Sequence, residues 1–295
     1  MAQIREIKKR MVAVGTIQRI TKTMQMIATA KFTAAFQRAQ ATKPYTGRIR
    51  ELVQELSANS GDVEHPLLRT ESVAGGRELL LVISSDRGLC GAYNANVLRN
   101  ALQHLRSRKE GGEETTVEIS GKKAVGFFRF AKIDVAEHHT FGDTPAYDDV
   151  DAIATRYMNA FIAGEYDAVR VAYMRFESNS RQRPEVQQLL PLSAEPADAA
   201  DAGDGAGASA ATYEFSPSAE SLLASMLPLT VKSQLFQCVN DAVVSEQIMR
   251  MVAMKAATEN AKDLKKNLGR KFNRARQAQI TTELTEIISG AAALE

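Results

Sequence analysis

Residues 4–31, IREIKKRMVAVGTIQRITKTMQMIATAK, decide the fold. Apolar side chains recur there at Ile4, Ile7, Met11, Val14, Ile17, Ile20, Met24 and Ile27, three or four positions apart, the period of a helix with one apolar stripe. Between Ala2 and Ser57 the only glycines are Gly15 and Gly47, and the only proline is Pro44. Little in the local chemistry therefore ends the helix early. Some fifty helical residues extend roughly 80 Å, more than a small globular domain accommodates. Such a helix pairs with another helix or runs inside something.

The partner lies at the other end of the chain. From Leu229 to Ala293 there is no proline, and glycine enters only at Gly269 and Gly290. Met254, Ala257, Ala261, Leu264, Leu268, Phe272 and Ala275 again step by three and four. Two long helices at opposite ends, each with a narrow stripe, predict an antiparallel coiled coil in which Ala257 and Ala261 permit close approach. The seam is irregular. Around Val14 to Ile20 the stripe slips register, and Thr21 and Thr23 crowd it, so some apolar positions are expected to face another partner.

Between the helices the pattern changes. Leu79–Ile83 is a fully apolar run closed by Ser84-Ser85-Asp86, the signature of a buried parallel strand. Helices are expected over Asn94–Leu105, Lys122–Phe130 and Tyr147–Phe161, and strands over Val117–Ile119 and Ala168–Tyr173. Val186–Leu192 reads as an antiparallel edge strand. Alternating strands and helices predict a central Rossmann-like α/β domain. The fold class is therefore α/β, with a long antiparallel coiled coil from both termini. The expected boundaries are a first helix over 1–57, a connecting loop over 58–75 and the α/β domain over 76–193. A low-complexity, flexible loop follows over 194–215, and a second long helix over 216–295. Ser216-Pro217 supplies that helix with a cap and a first-turn proline, and Pro228 is expected to kink or break it.

Net charge is only +2, but the first fifty residues hold eleven lysines and arginines against one acid, Glu6. A second basic stretch runs from Lys262 to Arg276. Two basic helices suit an acidic partner: nucleic acid, anionic lipid or acidic protein loops. Aromatic residues are not interleaved with the charges and no reader motif is present, which favours a protein-facing or solvated cationic face. No apolar run approaches the ~20 residues that span a bilayer, and the basic N-terminus lacks the apolar core of a secretory signal. Cys90 and Cys238 lack metal-ligand spacing and read as buried free thiols of a reducing compartment.

Little in the sequence points to an active site. Gly121-Lys122 follows a strand, but a phosphate-binding P-loop needs glycine where Thr116 stands and Ser or Thr where Lys123 stands. Gly203, Gly205 and Gly207 imitate part of a dinucleotide fingerprint with no strand before them. His65, His104, His138 and His139 form no ligand motif and read as solvated or loop histidines. No catalytic, cofactor or metal residue is assigned. The most unusual string is Ser85-Asp86-Arg87-Gly88-Leu89-Cys90-Gly91-Ala92-Tyr93-Asn94. It is either a ligand turn at the end of a strand or a tight turn used for close packing. A nucleic-acid-binding coiled-coil protein and an α/β enzyme with helical arms remain the alternatives to an assembly subunit.

Three strings carry a resemblance. They are Ile17–Lys31, the Asp86–Asn94 turn, and a C-terminal series through Ser245-Glu246-Gln247, Arg250–Asn260, Asn273–Gln277 and Ile280–Ala293. In type, order and chain position they resemble the gamma subunits of bacterial F-type ATP synthases, across essentially the whole chain and least from about 108 to 215. The resemblance implies a non-catalytic rotor whose coiled coil penetrates a hexamer of alpha and beta subunits. It also implies that the α/β domain meets the epsilon subunit and the c-ring of the membrane sector. Rotation of an asymmetric shaft would couple ion flow to ATP synthesis by stabilising different conformers of each catalytic site in turn. By the same resemblance Arg276 and Gln277 contact an acidic loop of beta, and Met24, Arg250 and Thr281 govern coupling. Asp86, Arg87, Gly88 and Cys90 belong to a foot-domain turn used for packing and subunit contact. The protein is expected to be peripheral, on the cytoplasmic face of a bacterial inner membrane. Residues 194–211 and Tyr213–Pro217 depart from the family pattern near the epsilon contact.

Overall fold

A computed structural model describes residues 2–59, 65–68, 76–192 and 219–292. The low-complexity loop, the Ser216-Pro217 start signal and most of the 58–75 connection lie outside the described residues. The elements run α1 (Ala2–Asn59), a short turn at Pro66–Leu68, β1 (Glu78–Ile83), α2 (Tyr93–Glu110) and β2 (Thr115–Ser120). They continue with α3 (Lys122–Ala131), β3 (Glu137–His139), α4 (Tyr147–Ile162), β4 (Ala168–Ser178), β5 (Arg181–Leu190) and α5 (Ala219–Ala292).

Residues 31–88 and 92–247 form one compact unit. Its five strands are ordered β3-β2-β1-β4-β5, with β1 to β4 parallel and β5 antiparallel to β4. Every residue of β1 is buried, which is why its sequence is a continuous apolar run and not an alternation. One core joins Leu79, Leu81 and Ile83 of the sheet to Val150, Ala154 and Tyr157 of α4 and to Leu227, Val231, Leu235 and Val239 of α5. Ile49 of α1 enters the same core. A second cluster sets Ala35 and Ala39 of α1 against Val243 and Val244 of α5, covered by Phe32, Phe36 and Phe176.

Residues 1–30, 89–91 and 248–295 form the other unit. The hydroxyl of Thr258 donates to Thr21 at 2.8 Å, and Gly15 lies beside the Lys265 side chain. Moving toward the N-terminus of α1 therefore moves toward the C-terminus of α5, so the segments are antiparallel, as their sequence stripes imply.

The seam differs from the stripe read from composition. Positions 4, 7, 11, 14, 18, 21, 25 and 28 are buried or half-buried, an unbroken alternation of three and four. It runs through Gln18, Thr21 and Gln25. Ile17, Ile20 and Ile27 stand about half exposed outside it, and Leu264 of the α5 stripe is 50% exposed as well. Thr21 holds its place in the seam through its bond with Thr258. The displaced isoleucines are left for something else.

Three further expectations change. Helix α5 passes through Pro228 without ending, as α1 passes through Pro44. Proline removes one hydrogen bond to the carbonyl four residues back; that residue is exposed Ala224 in α5 and exposed Gln40 in α1, both open to solvent. Buried Leu227, Thr230 and Val231 hold α5 on both sides of the proline. Strands β4 and β5 extend through Ser178 and back to Arg181, beyond the apolar runs, with Arg175 opposite Arg183, Phe176 opposite Gln182 and a register shift between Phe176 and Ser178. Pro184 fits β5 because an edge strand has a free side. Strand β3 has three residues and no apolar pattern, so the sequence gives no sign of it.

Candidate functional site

The Ser84–Asn94 turn follows β1 where a doubly wound sheet changes direction, between β1 and β4, the usual place for a ligand. Its groups are already engaged. The Asp86 carboxylate accepts from the Lys122 amide at 3.1 Å, and the Ser84 hydroxyl oxygen accepts from the Ala124 amide at 3.0 Å. The first-turn amides of α3 that would cradle a phosphate are thus occupied by this chain's own oxygens. Asn94 closes the other side, its Oδ1 accepting from the Ser85 amide at 3.0 Å. The adjoining cavity, reached by Tyr93, Phe141 and Asp143, holds about 140 Å³, below the roughly 300 Å³ at which small-molecule sites begin. The close-packing reading of the turn is the one this geometry supports.

The turn's named residues separate. Asp86, Arg87 and Gly88 belong to the larger unit, and Cys90 to the smaller one. Cys90 is buried and unbridged, like Cys238. Gly91, with φ +59°, lies against the Met249 carbonyl and the Ala253 methyl of the same unit, an approach that its left-handed backbone allows.

Two buried carboxylates escaped sequence reasoning. Glu118 of β2 accepts two hydrogen bonds from the Arg156 guanidinium at 2.8 and 2.7 Å and one from the Tyr157 hydroxyl at 2.7 Å. His139 Nε2 lies 2.7 Å from the same carboxylate, and Arg156 also reaches Glu137 at 2.9 Å. Glu118, Glu137 and His139 have the donor types of a divalent-cation site. The guanidinium between the two carboxylates already supplies a positive charge there. Glu78 of β1, fully buried, faces His104 at 2.7 Å, Arg108 at 3.3 Å and Arg170 at 3.2 Å. His139 and His104 are therefore partners of buried acids, which corrects their reading as solvated or loop histidines. Their partners sit on other strands and helices, and no motif spacing records them.

Burial pushes the Glu118 carboxyl up, but hydrogen bonds from His139, Arg156 and Tyr157 more than offset this and bring it from 4.5 to about 2. A depressed acid stabilises the fold above its unfolded value and loses that contribution as pH falls through the folded one. Unfolding free energy should therefore decline between pH 4.5 and about 2, and Glu118→Gln should flatten that part of the profile. Urea titrations at stepped pH measure it; parallel profiles for both chains would refute the linkage.

The residues expected at subunit contacts lie in the smaller unit, in two groups. Met24 is half-buried on α1 and Arg250 is buried on α5. Arg276, Gln277 and Thr281 are exposed on successive turns of α5, and the Thr281 hydroxyl donates to the Gln277 carbonyl at 3.0 Å. Arg250 and Arg276 are roughly 40 Å apart along the helix axis. By the register of Thr21 with Thr258, α1 runs out near the level of Arg276. Beyond it Ile280, Leu284, Ile287 and Ile288 are 48–68% exposed on a single helix. No other described helix reaches this level by that register, and an exposed apolar row of this kind has the character of an interaction surface.

Two long helices paired antiparallel, an exposed apolar row near the end of α5, and an α/β sheet whose ligand turn is filled by the chain's own oxygens define the class of the protein. The family model described as ATP synthase matches residues 3–294. The chain is 44% identical to the ATP synthase gamma chain of Rhodopirellula baltica, with all of both chains covered. It is 39% identical to the gamma chain of Haemophilus influenzae strain Rd, again over both full lengths. The chain belongs to the ATP synthase gamma-chain family. Its fold is similar to a chain in the rotor of Euglena gracilis mitochondrial ATP synthase, with TM-score 0.65, 19% identity, and 95% and 99% of the two chains covered. A chain of the Tetrahymena thermophila central stalk and c-ring has TM-score 0.57, with 81% of this chain and 99% of that one covered.

Proposed function

We propose that this chain is the central-stalk rotor of an F-type ATP synthase and carries no catalytic site of its own. The apolar tip of α5 beyond Arg276 is the observation that carries the reading: Ile280, Leu284, Ile287 and Ile288 are exposed there among the described residues, and a surrounding sleeve of other subunits would cover them. The partners are the alpha and beta subunits around that tip, with the epsilon subunit and the c-ring meeting the sheet-bearing unit. Arg276, Gln277 and Thr281 lie where an acidic loop of beta would meet a cationic, amide-bearing face. No described helix is long and apolar enough to cross a membrane, so attachment to the cytoplasmic face of a bacterial inner membrane would run through the other subunits. Ion transport then belongs to the assembly.

Mixing the chain with alpha and beta subunits tests this directly. The expected result is a stable complex that hydrolyses ATP, and failure to form one would refute the reading. Arg276→Ala with Gln277→Ala should lower coupled synthesis about tenfold in membrane vesicles, the effect of removing roughly 1.4 kcal/mol of charge-assisted contact, while urea unfolding stays unchanged. Unaltered synthesis would remove these two residues from the coupling path. A steep salt-dependent affinity for duplex DNA would favour the nucleic-acid alternative instead.

A further inference from the structure

We propose that Asp143 is a positioning residue that fixes the rotational phase of the α1 and α5 segments on the sheet. The proposal rests on the rotor reading above and names a part of its transmission. Asp143 lies in the segment between β3 and α4, after buried Phe141. Its Oδ2 accepts from Lys31 Nζ at 2.5 Å and its Oδ1 from Gln247 Nε2 at 3.2 Å. Its backbone carbonyl accepts from Arg38 Nη2 at 3.0 Å. One residue thus engages both long helices, and all four residues lie in the larger unit. Lys31 and Arg38 are two helical turns apart and so share a face of α1.

Between the same helix segments Ala35 and Ala39 meet Val243 and Val244, with Phe32, Phe36 and Phe176 packed against them. Apolar attraction is non-directional, whereas hydrogen bonds weaken steeply when misaligned. The Lys31–Asp143 pair is partly exposed, at 36% and 43%, so its share of overall stability is small. Gln247 is 1% exposed, which holds one arm of the cluster in place. The role left for the cluster is registry, the best-attested use of partly buried polar groups.

The experiment uses the whole ATP synthase reconstituted in vesicles with parent or variant chain, and reads protons pumped per ATP hydrolysed. Asp143→Ala should leave hydrolysis near the parent rate and lower the pumping ratio about fivefold, the effect of losing one to two such contacts. Lys31→Ala should lower it likewise, and the double variant no further. Asp151→Ala is the comparison, since it removes a similarly exposed pair with Lys232 at 2.7 Å that joins only α4 to α5; its ratio should stay at the parent value. A parent ratio for Asp143→Ala, or an equal fall for Asp151→Ala, overturns the proposal. Should Asp143→Ala fail to assemble, Asp143→Asn and Lys31→Gln each remove less, and a parent ratio for either overturns it too. A parent chain that supports no pumping at all refutes the rotor reading and this proposal together, an outcome distinct from failure of the variants alone.

Discussion

Gly121→Ala should lower the unfolding free energy of the sheet-bearing unit by about 4 kcal/mol, the range reserved for clashes that nothing nearby relieves. Gly121 links β2 to α3 with φ +91°, a region that L side chains rarely adopt. An added Cβ would lie 2.6 Å from the Ser84 carbonyl carbon and 2.7 Å from its hydroxyl oxygen. Ser84 cannot yield, because its amide donates to the Ser120 carbonyl at 2.8 Å and its hydroxyl oxygen receives the Ala124 amide at 3.0 Å. Backbone strain alone costs about 1–3 kcal/mol, and displacing the end of β1 adds the loss of those bonds. Gly126 of α3 provides the contrast, since nothing lies within 4 Å of its added Cβ. Gly126→Ala should stabilise by roughly 0.5–1 kcal/mol through helix propensity. Urea unfolding followed by far-UV circular dichroism separates the two; a loss under 1 kcal/mol for Gly121→Ala would sink the steric account.

Removing the acid at the centre of the other buried cluster should cost nearly as much. Glu118→Ala removes the bond of the Tyr157 hydroxyl and leaves the Arg156 guanidinium with Glu137 as its one acidic partner among the described residues. Breaking a buried pair by deleting one partner costs about 3–5 kcal/mol, whereas replacing both by apolar groups is often close to neutral. Arg156 is 43% exposed and recovers some hydration, which places the expectation at the lower end of that range. Arg156→Met added to Glu118→Ala should therefore restore part of the lost stability. If the two losses simply add in urea unfolding, the network is not coupled as described.

How much of this was legible before the fold was known depended on whether the determining contact was local. The helix at Asn94 and the strand at Leu79–Ile83 were readable because three-to-four spacing and a continuous apolar run are properties of neighbouring residues. The Asp86–Asn94 turn is an unusual string, yet nothing local in it records that Asp86 and Ser84 cap α3. Glu118 looked like an ordinary acid in a strand, because His139, Arg156 and Tyr157 approach it from β3 and α4. Ser216-Pro217 and the glycine-rich stretch before it fall outside the described residues.

The chain's two long helices were determined by the sequence itself. Their apolar spacing, and the scarcity of glycine and proline over 2–59 and 219–292, favour helix whatever surrounds them. Which face of each helix is the seam was a tertiary decision. Thr258 bonds Thr21, and the unbroken heptad through Gln18, Thr21 and Gln25 turns Ile17, Ile20 and Ile27 outward. Periodicity records that a stripe exists. Only a partner helix decides which polar groups are satisfied along it, and therefore which apolar ones are left for the rest of the assembly.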